Sequence, residues 1–117
     1  VDDEPDMCWA VATLLRTEGI EAIACHTGRA AVEAAAGGGF AAAFVDLKLP
    51  DADGLAVIDR LRAVAPGLPC VLVTGYLYAD DDAVRAAVGS GRVAGFVAKP
   101  FELGQLRAAL ARVAAVG

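Results

Sequence analysis

Apolar positions along this 117-residue chain switch repeatedly between helical and strand spacing. Met7, Val11 and Leu14 fall on one face of a helix predicted over Asp6–Thr17. Pro5 marks its early turn and Gly19 its stop. Glu21–Cys25 then reads as a strand, Arg29–Ala36 as an alanine-rich helix ended by Gly37-Gly38-Gly39, and Ala41–Asp46 as the next strand. Leu55, Ile58 and Leu61 share one face of a helix over Leu55–Val64, which ends before Pro66. A strand over Pro69–Thr74, a helix over Asp80–Val88, a strand over Gly95–Lys99 and a helix over Glu102–Val116 complete the series. Strands that are apolar throughout, separated by helices, predict a parallel sheet covered on both faces.

The expected architecture is one α/β domain over residues 1–117: a doubly wound, five-stranded parallel sheet of order 2-1-3-4-5 with helices on both faces. Its first strand should hold about five residues, yet only Val1 precedes the acidic pair Asp2-Asp3. That strand is central in the expected order, so it is expected to be truncated, with further residues ahead of Val1 in a longer polypeptide.

Charge and composition narrow the function. The net charge is −5 and lysine and arginine form no cluster, which argues against direct nucleic-acid binding by this segment. No apolar run reaches the length of a membrane span, and none has the flanks of a secretion signal, so a cytoplasmic location without membrane insertion is expected. Cys8, Cys25 and Cys70 are odd in number and lack metal-ligand spacing. Cys25 and Cys70 read as small apolar core residues in a reducing compartment.

The informative residues stand where strands end. Asp46 closes the run Ala42-Ala43-Phe44-Val45 and opens the loop from Leu47 to Gly54. Asp2-Asp3, Thr74 and Lys99 also follow apolar, strand-like sequence. In an open α/β sheet the carboxyl ends of strands carry the chemistry, so these groups are expected at one edge. Three carboxylates there repel one another, and a divalent cation held by oxygen atoms, Mg²⁺ above all, relieves the conflict. Carboxylates form aspartyl phosphates, and such transfer needs chiefly positioning and charge neutralisation. Taken singly, each residue has a plainer reading. Asp46 would be a turn or cap, Lys99 a solvated strand end, Asp51 and Asp53 turn residues, and Asp80-Asp81-Asp82 an acidic helix start. His26 reads as a loop residue and Phe96 as core.

Together, Val1-Asp2-Asp3-Glu4-Pro5, the run Val45–Gly54, Thr74-Gly75 and Lys99-Pro100-Phe101 resemble the ordered motifs of response-regulator receiver domains, the phosphoacceptor modules of two-component signalling, over nearly the whole chain. The resemblance implies that Asp46 accepts a phosphoryl group from a histidine kinase or histidine phosphotransfer protein. Asp3, Asp46 and the Lys48 backbone carbonyl would ligate Mg²⁺, with Asp2 acting mostly through water. Thr74 and Lys99 would contact the phosphoryl group, Thr74 and Phe96 would form the switch, and Lys99–Pro100 would be cis. Phosphodonors would dock near the first helix, where Trp9 points outward, and near Pro100. A phosphorylation-dependent dimer is a further expectation, although Gly89-Ser90-Gly91-Arg92 lengthens the chain next to the surface that such dimers use. Lys48 and Tyr76 occupy positions that tune the lifetime of the phosphorylated form.

The expected function is a signalling switch that phosphorylates and dephosphorylates only itself. One alternative is a receiver excised from a hybrid histidine kinase, acting as a phosphate shuttle or sink. Another is a small aspartate-nucleophile phosphatase, against which Lys48 counts because it occupies the second acidic position of that motif. A degenerate receiver and a flavodoxin-like cofactor binder fit less well, since the acidic pair, acceptor, threonine and lysine are all present and no phosphate loop follows the first strand.

Overall fold

The computed structural model describes residues 1–75, 82–99 and 103–116, without the side chains of Ala83, Lys99, Leu103 and residues 112–116. Helices α1 (Pro5–Thr17) and α2 (Gly28–Ala36) precede strand β1 (Ala43–Asp46). Then come α3 (Gly54–Val64), β2 (Cys70–Gly75), α4 (Asp82–Gly89), β3 (Gly95–Lys99) and α5 (Leu103–Val116). The strands form a parallel sheet of order β1-β2-β3, with Asp46 opposite Val73, Thr74 opposite Ala98 and Gly75 opposite Lys99. Their carboxyl ends therefore share one edge, as the strand-end residues require.

Alternation along the strands divides the core. Val45, Cys70 and Leu72 face a cluster with Ala31 and Ala35 of α2, Val57, Ile58 and Leu61 of α3, and Val84 and Ala87 of α4. Val71 and Val97 pack with Ala109 of α5 in a second cluster. Helices thus cover both faces. Burial drives the thiol of Cys70 up to about 11, as expected for a cysteine serving as an apolar core residue. All three cysteines are free.

Local signals account for the helix ends. Pro5 fills the first turn of α1, where its missing N–H costs nothing. At the other end Gly19 takes φ +76°, and the Gly19 and Ile20 N–H groups donate to Arg16 and Leu15 carbonyls. That paired bonding is a Schellman stop, which needs the left-handed conformation that glycine adopts freely. Thr27 and Asp53 cap α2 and α3 by accepting from the Ala30 and Leu55 N–H groups. The turn at 89–92 lies against α3, where Arg92 donates to both carboxylate oxygens of Asp59 and to the Leu55 carbonyl.

Two expectations fail. Residues 21–25 do not form a strand. The Cys25 carbonyl accepts from the Asp2 N–H at 2.9 Å. The buried stripe of α1 is also rotated from the expected one. Leu15, not Leu14, is the buried leucine, and Met7, Val11 and Leu15 together line an apolar cleft of about 900 Å³ that also touches residues 20–25, β1 and α5. Adjacent leucines both fit a loose helical stripe, and the 100° between them decides the phase. The expected beginning of the fourth helix at Asp80, and Tyr76, lie outside the described residues.

Candidate functional site

Asp46 ends β1 and is 8% exposed. Its N–H donates to the Val1 carbonyl at 2.9 Å, and its Oδ1 accepts from the Lys48 N–H at 3.4 Å. The next residue, Leu47, donates to the Val73 carbonyl and accepts from the Gly54 N–H, both at 2.7 Å. An isolated antiparallel bridge between Lys48 and Asp53 and a bond from the Leu49 N–H to the Ala52 carbonyl close the loop. Gly54 is essential to this geometry. A Cβ there would lie 2.2 Å from the Asp46 carbonyl oxygen and 2.7 Å from the Leu47 Cα.

The amino-terminal acidic residues lie beside this loop. Asp2 is 5% exposed, and its Oδ1 accepts from the Glu4 N–H at 3.0 Å. Carboxylate oxygens of Asp2, Asp3 and Glu4 approach within 4.8 Å of one another. Glu4, which the sequence reading left as a motif residue, joins this cluster. Asp46 is not a member, although the Val1 carbonyl ties its backbone to the same segment. Two exposed carboxylates and one buried one form an all-oxygen set of high negative charge, and that donor chemistry fits a hard divalent cation with room for water.

Thr74, near the end of β2, is fully buried, and its hydroxyl donates to the Gly75 carbonyl at 3.3 Å. Lys99 ends β3 opposite Gly75. Phe96, on β3, is 37% exposed rather than plain core. Trp9 is 71% exposed, as the helical phase from Met7 requires. Pro100, and with it the expected cis bond, lies outside the described residues.

Further contacts were not legible in the sequence. His26 Nδ1 donates to the Asp2 carbonyl at 3.1 Å, and Cys8 Sγ donates to the same oxygen at 3.2 Å. Burial raises the Cys8 thiol above its ordinary value. The Val1 nitrogen donates to the Phe44 carbonyl. Asp51 reaches away from its own turn to accept from the Gly28 and Arg29 N–H groups at the start of α2. The Gly28 bond, then the Arg29 bond, hold its carboxyl below the ordinary value.

A model of the response regulator receiver domain matches residues 1–111. The chain is 37% identical to the probable transcriptional regulatory protein TcrX of Mycobacterium tuberculosis, over 96% of this chain and 48% of TcrX. It is 32% identical to the uncharacterized transcriptional regulatory protein YkoG of Bacillus subtilis, over 98% of this chain and 48% of YkoG. It thus spans about half the length of these relatives. The receiver domain of NtrX from Brucella abortus superposes with a TM-score of 0.89 at 27% identity, covering 99% of this chain and 96% of that one. A CheY-like receiver protein of Methanospirillum hungatei shares the fold, with a TM-score of 0.87 at 21% identity over 98% and 90% of the two chains.

Proposed function

The chain belongs to the response regulator receiver family, and from that premise we propose that it is a phosphoacceptor switch in which Asp46 takes a phosphoryl group from a histidine kinase or histidine phosphotransfer protein. The observation that carries the reading is the meeting of three strand ends, Asp46, Thr74 and Lys99, at one sheet edge, beside the acidic segment that Val1 ties to Asp46.

Asp46 acts as the nucleophile. One carboxylate oxygen forms a bond to phosphorus as the phosphorus–nitrogen bond of a phosphohistidine breaks, and the bonding pair returns to the ring nitrogen, so that an imidazole already protonated on its other nitrogen leaves neutral. Asp2, Asp3, Asp46 and the Lys48 carbonyl would hold Mg²⁺, and Glu4, clustered with Asp2 and Asp3, would lie close enough to contribute. When bound, the ion neutralises charge between these groups and the transferred phosphoryl group. The Lys99 ammonium supplies a second positive charge. The Thr74 hydroxyl turns from the Gly75 carbonyl toward a phosphoryl oxygen, and Phe96 follows its movement to complete the switch. Such a protein acts on no external substrate beyond its phosphodonor.

We also infer that residues 1–117 work as one cytoplasmic receiver unit with the sheet order 2-1-3-4-5. Val1 supports that order. It donates to Phe44 and accepts from Asp46, the bonding of a parallel bridge, while Asp2 donates to Cys25 on the other side. Val1–Asp2 therefore stands between residues 21–25 and β1, in the place of a central strand. Among the described residues no helix is long and apolar enough to cross a membrane. The expectation of no nucleic-acid contact applies to this acidic segment alone, because the relatives named as transcriptional regulators are about twice its length. A phosphorylation-dependent dimer belongs to the same reading, and a receiver acting as shuttle or sink within a hybrid kinase is its alternative.

Acetyl phosphate with Mg²⁺ should add one phosphoryl group to the intact chain, and chelation of the metal should prevent it. An unchanged mass in both arms would overturn the reading, whereas multiple turnovers of a phosphate ester would favour the phosphatase. Trp9 tests the partner. Exposed aromatic residues are frequent interface anchors, so Trp9→Ala should slow phosphotransfer from the cognate histidine donor by about tenfold, corresponding to roughly 1.4 kcal/mol. Labelling by acetyl phosphate should stay unchanged. Equal losses in both reactions would assign Trp9 to the fold, and no loss in either would remove it from the docking surface.

A further inference from the structure

Asp51 sits at the tip of the acceptor loop, but its carboxylate serves another element. Its Oδ1 accepts from the Gly28 N–H at 2.9 Å and its Oδ2 from the Arg29 N–H at 3.1 Å. Thr27 already caps the same helix through Ala30. Asp51 is therefore not needed as the ordinary cap of α2. It is a link between that helix and a loop 22–23 residues away.

The link closes a circuit. From Gly28 the chain runs back through Thr27 and His26 to Cys25. Cys25 accepts from the Asp2 N–H and His26 donates to the Asp2 carbonyl. Val1, next to Asp2, accepts from the Asp46 N–H, and Asp46 leads through Lys48 back to Asp51. Every connection is covalent or a hydrogen bond of 2.9–3.1 Å. The acidic segment and the acceptor loop are thus held on opposite arms of one ring, and Asp51 is the side chain that joins the loop's tip to it. Gly28 leaves little slack, since a Cβ there would lie 2.5 Å from Val57 Cγ2.

We propose that Asp51 is a positioning residue for the cation site, setting the separation between the Lys48 carbonyl and the carboxylates of Asp2 and Asp3. The assignment rests on the phosphoacceptor reading. Groups that orient metal ligands from outside typically change affinity by about tenfold or more when removed. Asp51→Ala should weaken Mg²⁺ binding by about that factor, measured by calorimetry with the metal alone. Asp51→Asn keeps one accepting oxygen and should recover part of the loss. Thr27→Ala removes the other cap of α2 without touching the loop, and should lower the melting temperature while leaving Mg²⁺ affinity unchanged.

Amide hydrogen exchange of the metal-free protein decides the matter independently of any cation. Breaking the ring should speed exchange at Asp46 and Leu49 as well as at Gly28 and Arg29. If Asp51→Ala speeds exchange at Gly28 and Arg29 alone, Asp51 is a local helix cap and the proposal fails. Equal loss of Mg²⁺ affinity in Thr27→Ala would also overturn it. Should the unaltered chain bind no Mg²⁺ while exchange still spreads to Asp46, the ring stands and the metal-dependent reading is what fails.

Discussion

Asp46→Asn should reduce phosphoryl incorporation from acetyl phosphate and Mg²⁺ to background. The amide is nearly the same size as the carboxylate, so packing beneath it is preserved. It carries no charge and its nitrogen is a poor nucleophile, so an acyl phosphate cannot form there. At 8% exposure the side chain lies at a sheltered strand end. Loss of the carboxylate should therefore cost the reaction itself rather than the fold, and far-ultraviolet circular dichroism should be unchanged. Undiminished labelling of the variant would place the acceptor elsewhere.

Gly54→Ala should be the most damaging conservative change in the described part of the chain. The added methyl would meet the Asp46 carbonyl oxygen at 2.2 Å, the Leu47 Cα at 2.7 Å and the Asp46 carbonyl carbon at 2.9 Å. These are backbone atoms inside a hydrogen-bonded loop, and no side-chain rotation relieves them. Overpacking of this kind costs about 3 kcal/mol, a large share of a total stability of roughly 5–15 kcal/mol. The urea midpoint should fall by about 1–3 M for a slope of roughly 1–3 kcal/mol/M. Gly67→Ala is the comparison, because nothing lies within 4 Å of a Cβ there and its midpoint should barely move. A Gly54→Ala midpoint equal to that of Gly67→Ala would contradict the close packing of loop and strand. The same substitution should also depress labelling, because the methyl is aimed at the backbone of the acceptor itself.

The features legible in the sequence are those written locally. Asp46 and Thr74 are legible as strand ends because a continuous apolar run followed by a polar residue marks the end of a buried strand. Pro5 and Gly19 bounded α1 because each acts through its own backbone. Features that depend on a distant partner were not legible. Residues 21–25 have the composition of a strand, but pairing depends on a segment distant in sequence, and the bond seen there joins the Cys25 carbonyl to the Asp2 N–H. Asp51 has the local signature of a turn residue, and nothing nearby in sequence records that its oxygens reach Gly28 and Arg29. His26 likewise reads as a loop residue, and its bond to the Asp2 carbonyl spans 24 residues. Gly54 looked like one more turn glycine, whereas its need is space against Asp46 rather than an unusual φ.

The central claim is that the acyl phosphate forms on Asp46, and borohydride trapping tests it most directly. The reagent reduces an aspartyl phosphate to homoserine and leaves a free carboxylate untouched, so peptide mass mapping identifies the modified position. After incubation with acetyl phosphate and Mg²⁺, homoserine should appear at position 46 and at no other aspartate, and it should be absent when the metal is chelated. Homoserine at Asp2, Asp3 or Asp51, or none anywhere in a chain that carries phosphate, would contradict the account.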